Sequence, residues 1–261
     1  MKRPTLTAIA LTAILTSTTM AQFNFKNIPT KLSAYYLSSF QPIERIKSKL
    51  KENGFQILAT DKILEGKSVI TITNNELKST SSYMSTLHIL VNSQENEVRV
   101  QNPSYLASAY LKGYKYGDFK VTLNGLEKVL NRMLPVLQQK EIAKLPQYHF
   151  MFGMPYLEDT IRVSHEANLP RSISYILELP NGATLVGHKL SVEINSFLNK
   201  IGESKNSQLL PYESMIKDGE ATILDPKYYL ALSLPNLSMG EFMKIATVPY
   251  SIEKEIQNAY R

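Results

Sequence analysis

Three groups of side chains in this 261-residue sequence have types and spacings that could do chemistry. The densest is His149-Phe150-Met151-Phe152-Gly153-Met154, which sets an imidazole close to two thioethers. Soft sulfur ligands beside an imidazole suit a cuprous ion, so His149, Met151 and Met154 form a candidate copper loop. The same residues also have a plainer use, because methionine and phenylalanine pack a crossover segment well against a sheet. The second group is His165-Glu166 with Glu158-Asp159 upstream, a set that offers hard-metal ligands or a hydrolytic acid and base. Arg162 lies among them and the spacing matches no zinc motif, so a solvated charged loop accounts for them as well.

Tyrosines make the third group. Tyr105, Tyr110, Tyr114 and Tyr116 cluster in one half of the chain, and Tyr212, Tyr228 and Tyr229 in the other. Rings with hydroxyls around strands can line a cleft and orient an apolar or aromatic ligand, although tyrosine is also a good strand residue in its own right. Tyr105, Tyr110, Tyr212, Tyr228 and Tyr229 are the expected ligand-binding residues. His88 sits in an apolar strand and is expected to be a satisfied core or edge histidine; His188, after Gly187, is expected to be exposed.

Much chemistry is excluded. The chain has no cysteine, which removes disulfides, thiolate metal sites and cysteine nucleophiles. No Gly-x-Ser-x-Gly, phosphate-binding loop or dinucleotide fingerprint is present, so no catalytic residue is assigned and no cofactor is expected. The formal net charge of +6 is spread over the whole chain and makes no electrostatic case for nucleic acid.

The elements that would position these groups begin after residue 21. Lys2-Arg3, an apolar run near Leu6 to Leu15, and small residues up to Ala21 compose a secretory signal peptide, too short to span a bilayer. Cleavage there implies a periplasmic or secreted protein without a membrane span. Beyond it, two distant stretches are variants of one text. Asn102-Pro103-Ser104-Tyr105-Leu106-Ala107 is answered by Asp225-Pro226-Lys227-Tyr228-Tyr229-Leu230, and the 14 positions from Pro103 to Gly117 recur from Pro226 to Gly240. The domains expected are a first unit over 22–145, a linker or crossover over 146–170, and a second unit over 171–261.

Within the first unit, Ile43, Ile46 and Leu50 predict an amphipathic helix stopped at Asn53-Gly54, flanked by strands from Leu32 and from Phe55. Strands follow at Val69 to Thr73, Leu87 to Val91 and Val98 to Val100, then a helix capped by Asp118 that extends in part through Lys144. The second unit is expected to repeat this order. It has a hairpin around Pro180-Asn181-Gly182, strands at Leu209 to Ile216, Ala221 to Leu224 and Tyr228 to Leu234, and a closing helix broken at Pro249. The fold class is therefore α+β: two tandem units of strand, helix, four strands, helix, whose antiparallel sheets pack as an intramolecular pseudo-dimer.

This pattern resembles the bacterial family called domain of unknown function 302. The likeness rests on Ile46 to Phe55, with its helix ending before Gly54-Phe55; on Asn102-Pro103; and on Ile201-Gly202 with Leu210-Pro211-Tyr212-Glu213, where the family has Leu-Pro-Cys. The resemblance implies a TATA-binding-protein-like α+β fold, often paired as a dimer, and implies no activity. Tyr212 in place of the cysteine removes any thiol role. The function expected is that of a binding or accessory protein that holds a small molecule, or a periplasmic protein partner, between its units as a monomer or homodimer. Copper handling at the Met and His cluster, and hydrolysis at the linker carboxylates, are the alternatives.

Overall fold

The computed structural model describes residues 23–146 and 160–261, and over these the fold is α+β. The first half runs β1 (Lys31–Ser33), β2 (Tyr35–Ser39), α1 (Ile43–Glu52), β3 (Gln56–Leu64), β4 (Lys67–Thr73), α2 (Asn75–Lys78), β5 (Leu87–Asn92), β6 (Glu97–Gln101), α3 (Pro103–Tyr110), α4 (Lys120–Leu130), β7 (Leu134–Pro135), β8 (Gln139–Glu141) and a 3-10 turn, Ile142–Lys144. The second runs β9 (Ile161–Ser164), β10 (Ile173–Glu178), β11 (Thr184–His188), α5 (Val192–Asn195), α6 (Phe197–Lys200), a 3-10 segment (Ser204–Leu209), β12 (Tyr212–Lys217), β13 (Glu220–Ile223), α7 (Pro226–Ser233), α8 (Met239–Lys244) and α9 (Val248–Ala259).

Two antiparallel sheets organise these elements. The larger has the order β3-β4-β5-β6-β2-β7 and the smaller β10-β11-β12-β13-β9. Each is a four-strand meander whose last strand pairs with the strand that precedes the meander in sequence. β1 and β8 form a separate short ribbon.

Local chemistry explains most boundaries. Helix α1 buries Ile46 and Leu50, one turn apart, carries Glu44 in its first turn and Lys49 and Lys51 in its last, and stops before Gly54 at φ +81°. The β12–β13 turn holds Asp218 and Gly219 at φ +52° and +80°, the left-handed pair that a two-residue hairpin requires. Asn102 and Asp225 accept the backbone N–H of Ser104 and Lys227, and a proline opens each following helix.

The larger sheet is covered on both faces, so every residue of β5 is buried. Leu87, Ile89 and Val91 point into a core shared with α1 and α4. Leu90 and Val69 point the other way, among Phe197, Leu198 and Leu209 of the second half. A third core joins Tyr35, Tyr105 and Leu106 to Leu177, Leu185, Tyr228 and Leu232.

Several expectations are corrected. Tyr228 to Leu234 is not a strand: Pro226–Ser233 is helix α7, and the matching Tyr105 segment is helix α3. The capping Asn or Asp and the N-terminal proline outweigh the strand propensity of the tyrosines. Helix α4 ends at Leu130, where Asn131 takes φ +63°, and the chain turns into β7 and β8 instead of continuing to Lys144. Phe119, not Asp118, caps α4; the Asp118 carboxylate instead accepts the N–H of Lys115. Leu209 closes a 3-10 segment, so β12 begins only at Tyr212. Strand β9 lies inside the stretch assigned to the crossover, while the short helix that Ile194, Phe197, Leu198 and Ile201 predict after the β10–β11 hairpin is present as α5 and α6. The break at Pro249 stands, because α9 opens with that proline in its first turn.

Candidate functional site

A cavity of about 30 Å³ lies where the halves meet. Tyr83, Met84, Thr86, His88, Gln101, Leu106 and Tyr110 line it from the first half, and Glu213, Leu224, Tyr229 and Leu232 from the second. No lysine or arginine is among them.

The sheets build its polar end. Tyr175 on β10, Gly187 on β11 and Glu213 on β12 are cross-strand neighbours in register. The Tyr175 ring lies over Gly187, where an added Cβ would fall inside the ring's van der Waals surface. Glycine in mid-strand thus opens a slot through which a tyrosine crosses one strand to donate its hydroxyl to Glu213 Oε1 on the next. Thr86 donates its hydroxyl to the same oxygen from the opposite half. Burial, then the neighbouring Glu213 carboxylate, pushes the Tyr175 hydroxyl well above its ordinary range, so it remains a donor.

His88 faces this carboxylate at 3.6 Å between Nε2 and Oε1 and is only 2% exposed. Its Nδ1 lies 2.9 Å from the carbonyl oxygen of Gln208. A carbonyl can only accept, so Nδ1 carries a proton, and Nε2 is turned toward the Glu213 carboxylate. Nε2 makes no hydrogen bond among the described residues. The expectation of a satisfied core histidine therefore holds for one ring nitrogen and fails for the other.

The 3-10 segment Ser204–Leu209 sets this geometry from above. It crosses the second face of the larger sheet, and Arg99 Nη1 pins it at Asn206 Oδ1 over 3.0 Å. Its next carbonyls orient the site: Gln208 takes the His88 proton and Leu209 takes the Tyr229 hydroxyl at 2.9 Å. Tyr83 donates to the carbonyl of Thr222 at 2.7 Å.

A register relation links the two halves. Val100 and Ile223 each stand three residues before the helix-opening proline and pair across their hairpins with Ile89 and Ser214. The residues just before those partners are His88 and Glu213, which therefore hold the same position in the two hairpins. By the same count Gln101 matches Leu224 and Leu106 matches Tyr229, and all six line the cavity.

Of the tyrosines singled out in the sequence, Tyr110 and Tyr229 reach the cavity. Tyr105, Tyr212 and Tyr228 are core residues away from its lining; Tyr105 donates to the Leu232 carbonyl at 2.8 Å and Tyr212 to that of Leu224 at 2.7 Å. Sequence reasoning missed Glu213 altogether and passed over the open nitrogen of His88. Glu213 follows the Leu210-Pro211-Tyr212 run that carries the family resemblance, and an acid in a strand whose hairpin mate carries a mid-strand glycine was the available signal.

His149, Met151, Met154, Glu158 and Asp159 lie outside the described residues. His165 and Glu166 are exposed on the surface, with His165 Nδ1 3.1 Å from Arg162. Among the described residues no cluster of three or more His, Asp or Glu could hold a metal, and no helix is long and apolar enough to cross a membrane. His188 is buried, contrary to its expected exposure: β11, an interior strand, aims it at α9, with Nε2 2.6 Å from Ser214 Oγ and Tyr260 edge-on. A wider groove of about 1160 Å³ on the first half is open to solvent, with exposed Lys31, Lys128 and Arg132 on its rim beside Glu127.

Comparison with known proteins found no matching family model, curated protein or solved structure.

Proposed function

We propose that this chain is a secreted or periplasmic binding protein that captures a small ligand between its two halves. The observation that carries the reading is His88 Nε2, buried without a hydrogen bond and facing the Glu213 carboxylate inside a cavity walled by both halves. A buried polar atom left without a hydrogen bond costs on the order of 1–3 kcal/mol unless something pairs with it. Capture fits better than turnover, because the hydroxyls of Tyr83, Tyr175 and Tyr229 are committed as donors to protein oxygens. At about 30 Å³ the cavity suits a ligand smaller than the aromatic molecule expected from the tyrosines.

The matched positions of His88 and Glu213 support two copies of one unit facing each other as an intramolecular pseudo-dimer. That is also the arrangement implied by the resemblance to the domain of unknown function 302. The apolar and basic features of the first 21 residues support export.

Cell fractionation tests the address, with the protein expected outside the cytoplasm and shortened at its N-terminus. Ligand-observed NMR against a panel of small polar molecules tests the site, using the wild type and Leu106→Phe, which fills the cavity. Binding by the wild type that disappears in the variant is expected. Equal binding by both proteins would place the ligand elsewhere and sink the reading.

A further inference from the structure

We infer that the wide groove on the first half is a second binding site, independent of the cavity between the halves, and that it takes a fatty acid: an apolar chain ending in one carboxylate. The net charge, small for the chain as a whole, is uneven between the halves. Residues 23–146 carry 17 lysines and arginines against 10 acids, whereas residues 160–261 carry 10 against 11. The groove of about 1160 Å³ lies on the basic half, and its charged lining is Lys31, Lys128 and Arg132 with the single acid Glu127. Three cations against one acid make an anion the complementary occupant.

The other duties of these cations set how much negative charge fits. Lys31 stands opposite Glu141 across the β1–β8 ribbon, a carboxylate that already has Lys144 at 2.9 Å. Lys128, in the last turn of α4, also answers the carbonyls at that helix end. Arg132 follows the left-handed turn at Asn131 and makes no hydrogen bond or ion pair among the described residues. One uncommitted guanidinium beside two partly committed ammonium groups suits a monoanion, and its planar fork fits a carboxylate. The uncharged lining does not reverse this preference. Ser33 gives its hydroxyl to the carbonyls of Tyr35 and Val136, Gln139 gives its amide to Val136, and the exposed amides of Asn124 and Asn131 can donate as readily as accept. Burial holds the Tyr36 and Tyr116 hydroxyls above their ordinary range, so neither adds negative charge.

The floor calls for the apolar chain. Phe23 stands edge-on to Tyr36 with ring centroids 5.4 Å apart and stacks on Phe25 at 5.9 Å, and Phe25 meets Tyr116 at 6.0 Å. Leu134 and Pro135, on edge strand β7, continue this surface, and Leu134 is 43% exposed. An alkyl chain laid along it would take both apolar surfaces out of water. The volume stands at the upper end of the roughly 300–1000 Å³ usual for ligand clefts, which leaves room for a long chain. A polyanion would need a row of uncommitted cations and would leave this floor wet.

The test is calorimetric titration of the purified chain with sodium decanoate below its micelle concentration. Sodium acetate, decylammonium chloride and decyl phosphate are the controls for chain, sign and number of charges. Saturable decanoate binding is expected, tighter than acetate by roughly tenfold or more. Arg132→Glu should weaken it by about tenfold, with a further loss on adding Lys128→Glu. Both side chains are exposed, so the variants should fold as the wild type does. Leu134→Asn should weaken decanoate and leave acetate unchanged. Decylammonium or acetate binding as tightly as decanoate would overturn the assignment, as would tighter binding of decyl phosphate or indifference to Arg132→Glu. Leu106→Phe, which fills the cavity between the halves, should leave decanoate binding intact; its loss there would move the amphiphile out of the groove and sink the inference. If decanoate does not bind at all, the groove assignment fails while the capture reading stands.

Discussion

Gly187 shows how much a single missing methyl group can control. Its hydrogen leaves the space that the Tyr175 ring needs to reach Glu213. Gly187→Ala should displace that ring and cost about 1–3 kcal/mol, the usual range for forced overpacking. It should also weaken ligand capture, because Glu213 loses a hydroxyl that holds it in place. Urea unfolding and titration of the same variant check both effects; an unchanged midpoint would mean that the slot is not required. His188, one residue on, makes a prediction in pH. Burial pushes its imidazole down to about 4, against about 6.5 in an unfolded chain. Between those values the unfolded chain binds a proton that the folded chain refuses. Stability is therefore full above about pH 6.5 and falls by roughly 3 kcal/mol as pH drops toward 4. Denaturant midpoints across this range should show the decline, and His188→Gln should remove most of it.

Among the elements, the paired helices α3 and α7 share a sequence signature but differ in what their caps hold. Asn102 is fully buried; besides capping Ser104 it donates Nδ2 to the carbonyl of Ser33 at 2.8 Å. Asp225 is also buried, but among the described residues its side chain bonds only the N–H of Lys227, as a cap. Replacing Asn102 with alanine should cost about 2–3 kcal/mol, because a buried carbonyl loses its partner along with the cap, while Asp225→Ala should cost about 1 kcal/mol. Equal losses in thermal unfolding would contradict this. Helix α1, the hairpins and the proline break before α9 were legible from apolar spacing and turn residues. Helices α3 and α7 were misread because Tyr and Leu suit strands, although the Asn-Pro and Asp-Pro pairs gave the opposite and correct signal. The 3-10 segment had no periodic pattern to announce it: its buried Asn206, Ser207 and Gln208 look like a solvated loop until the sheet beneath supplies partners. For the same reason the site was only half legible. Tyr110 and Tyr229 follow from composition and repetition, whereas the His88 and Glu213 pair exists only through long-range packing.

For the whole molecule, two sheets need not mean two folding units. The second face of the larger sheet carries Val69, Leu90, His88 and Arg99, all covered by the second half. A chain cut after residue 145 would expose this surface and strand Arg99 without Asn206. Separate transitions for the halves are therefore not expected. Calorimetry should show one cooperative unfolding event with matching calorimetric and van't Hoff enthalpies, and the isolated first half should be unfolded or associated. Two resolved transitions would show that the shared cores contribute little to cooperativity.

The matched positions of His88 and Glu213 bear on what a single continuous chain makes possible. In an assembly of identical halves, whatever residue occupied that position would meet itself across the axis: histidine against histidine, or acid against acid, with like charges opposed. Joining the halves covalently lets the two positions drift apart in sequence, so that a base can face an acid at the centre. Asymmetry of this kind would give a ligand of the proposed capture site a single orientation, which a true twofold site cannot offer.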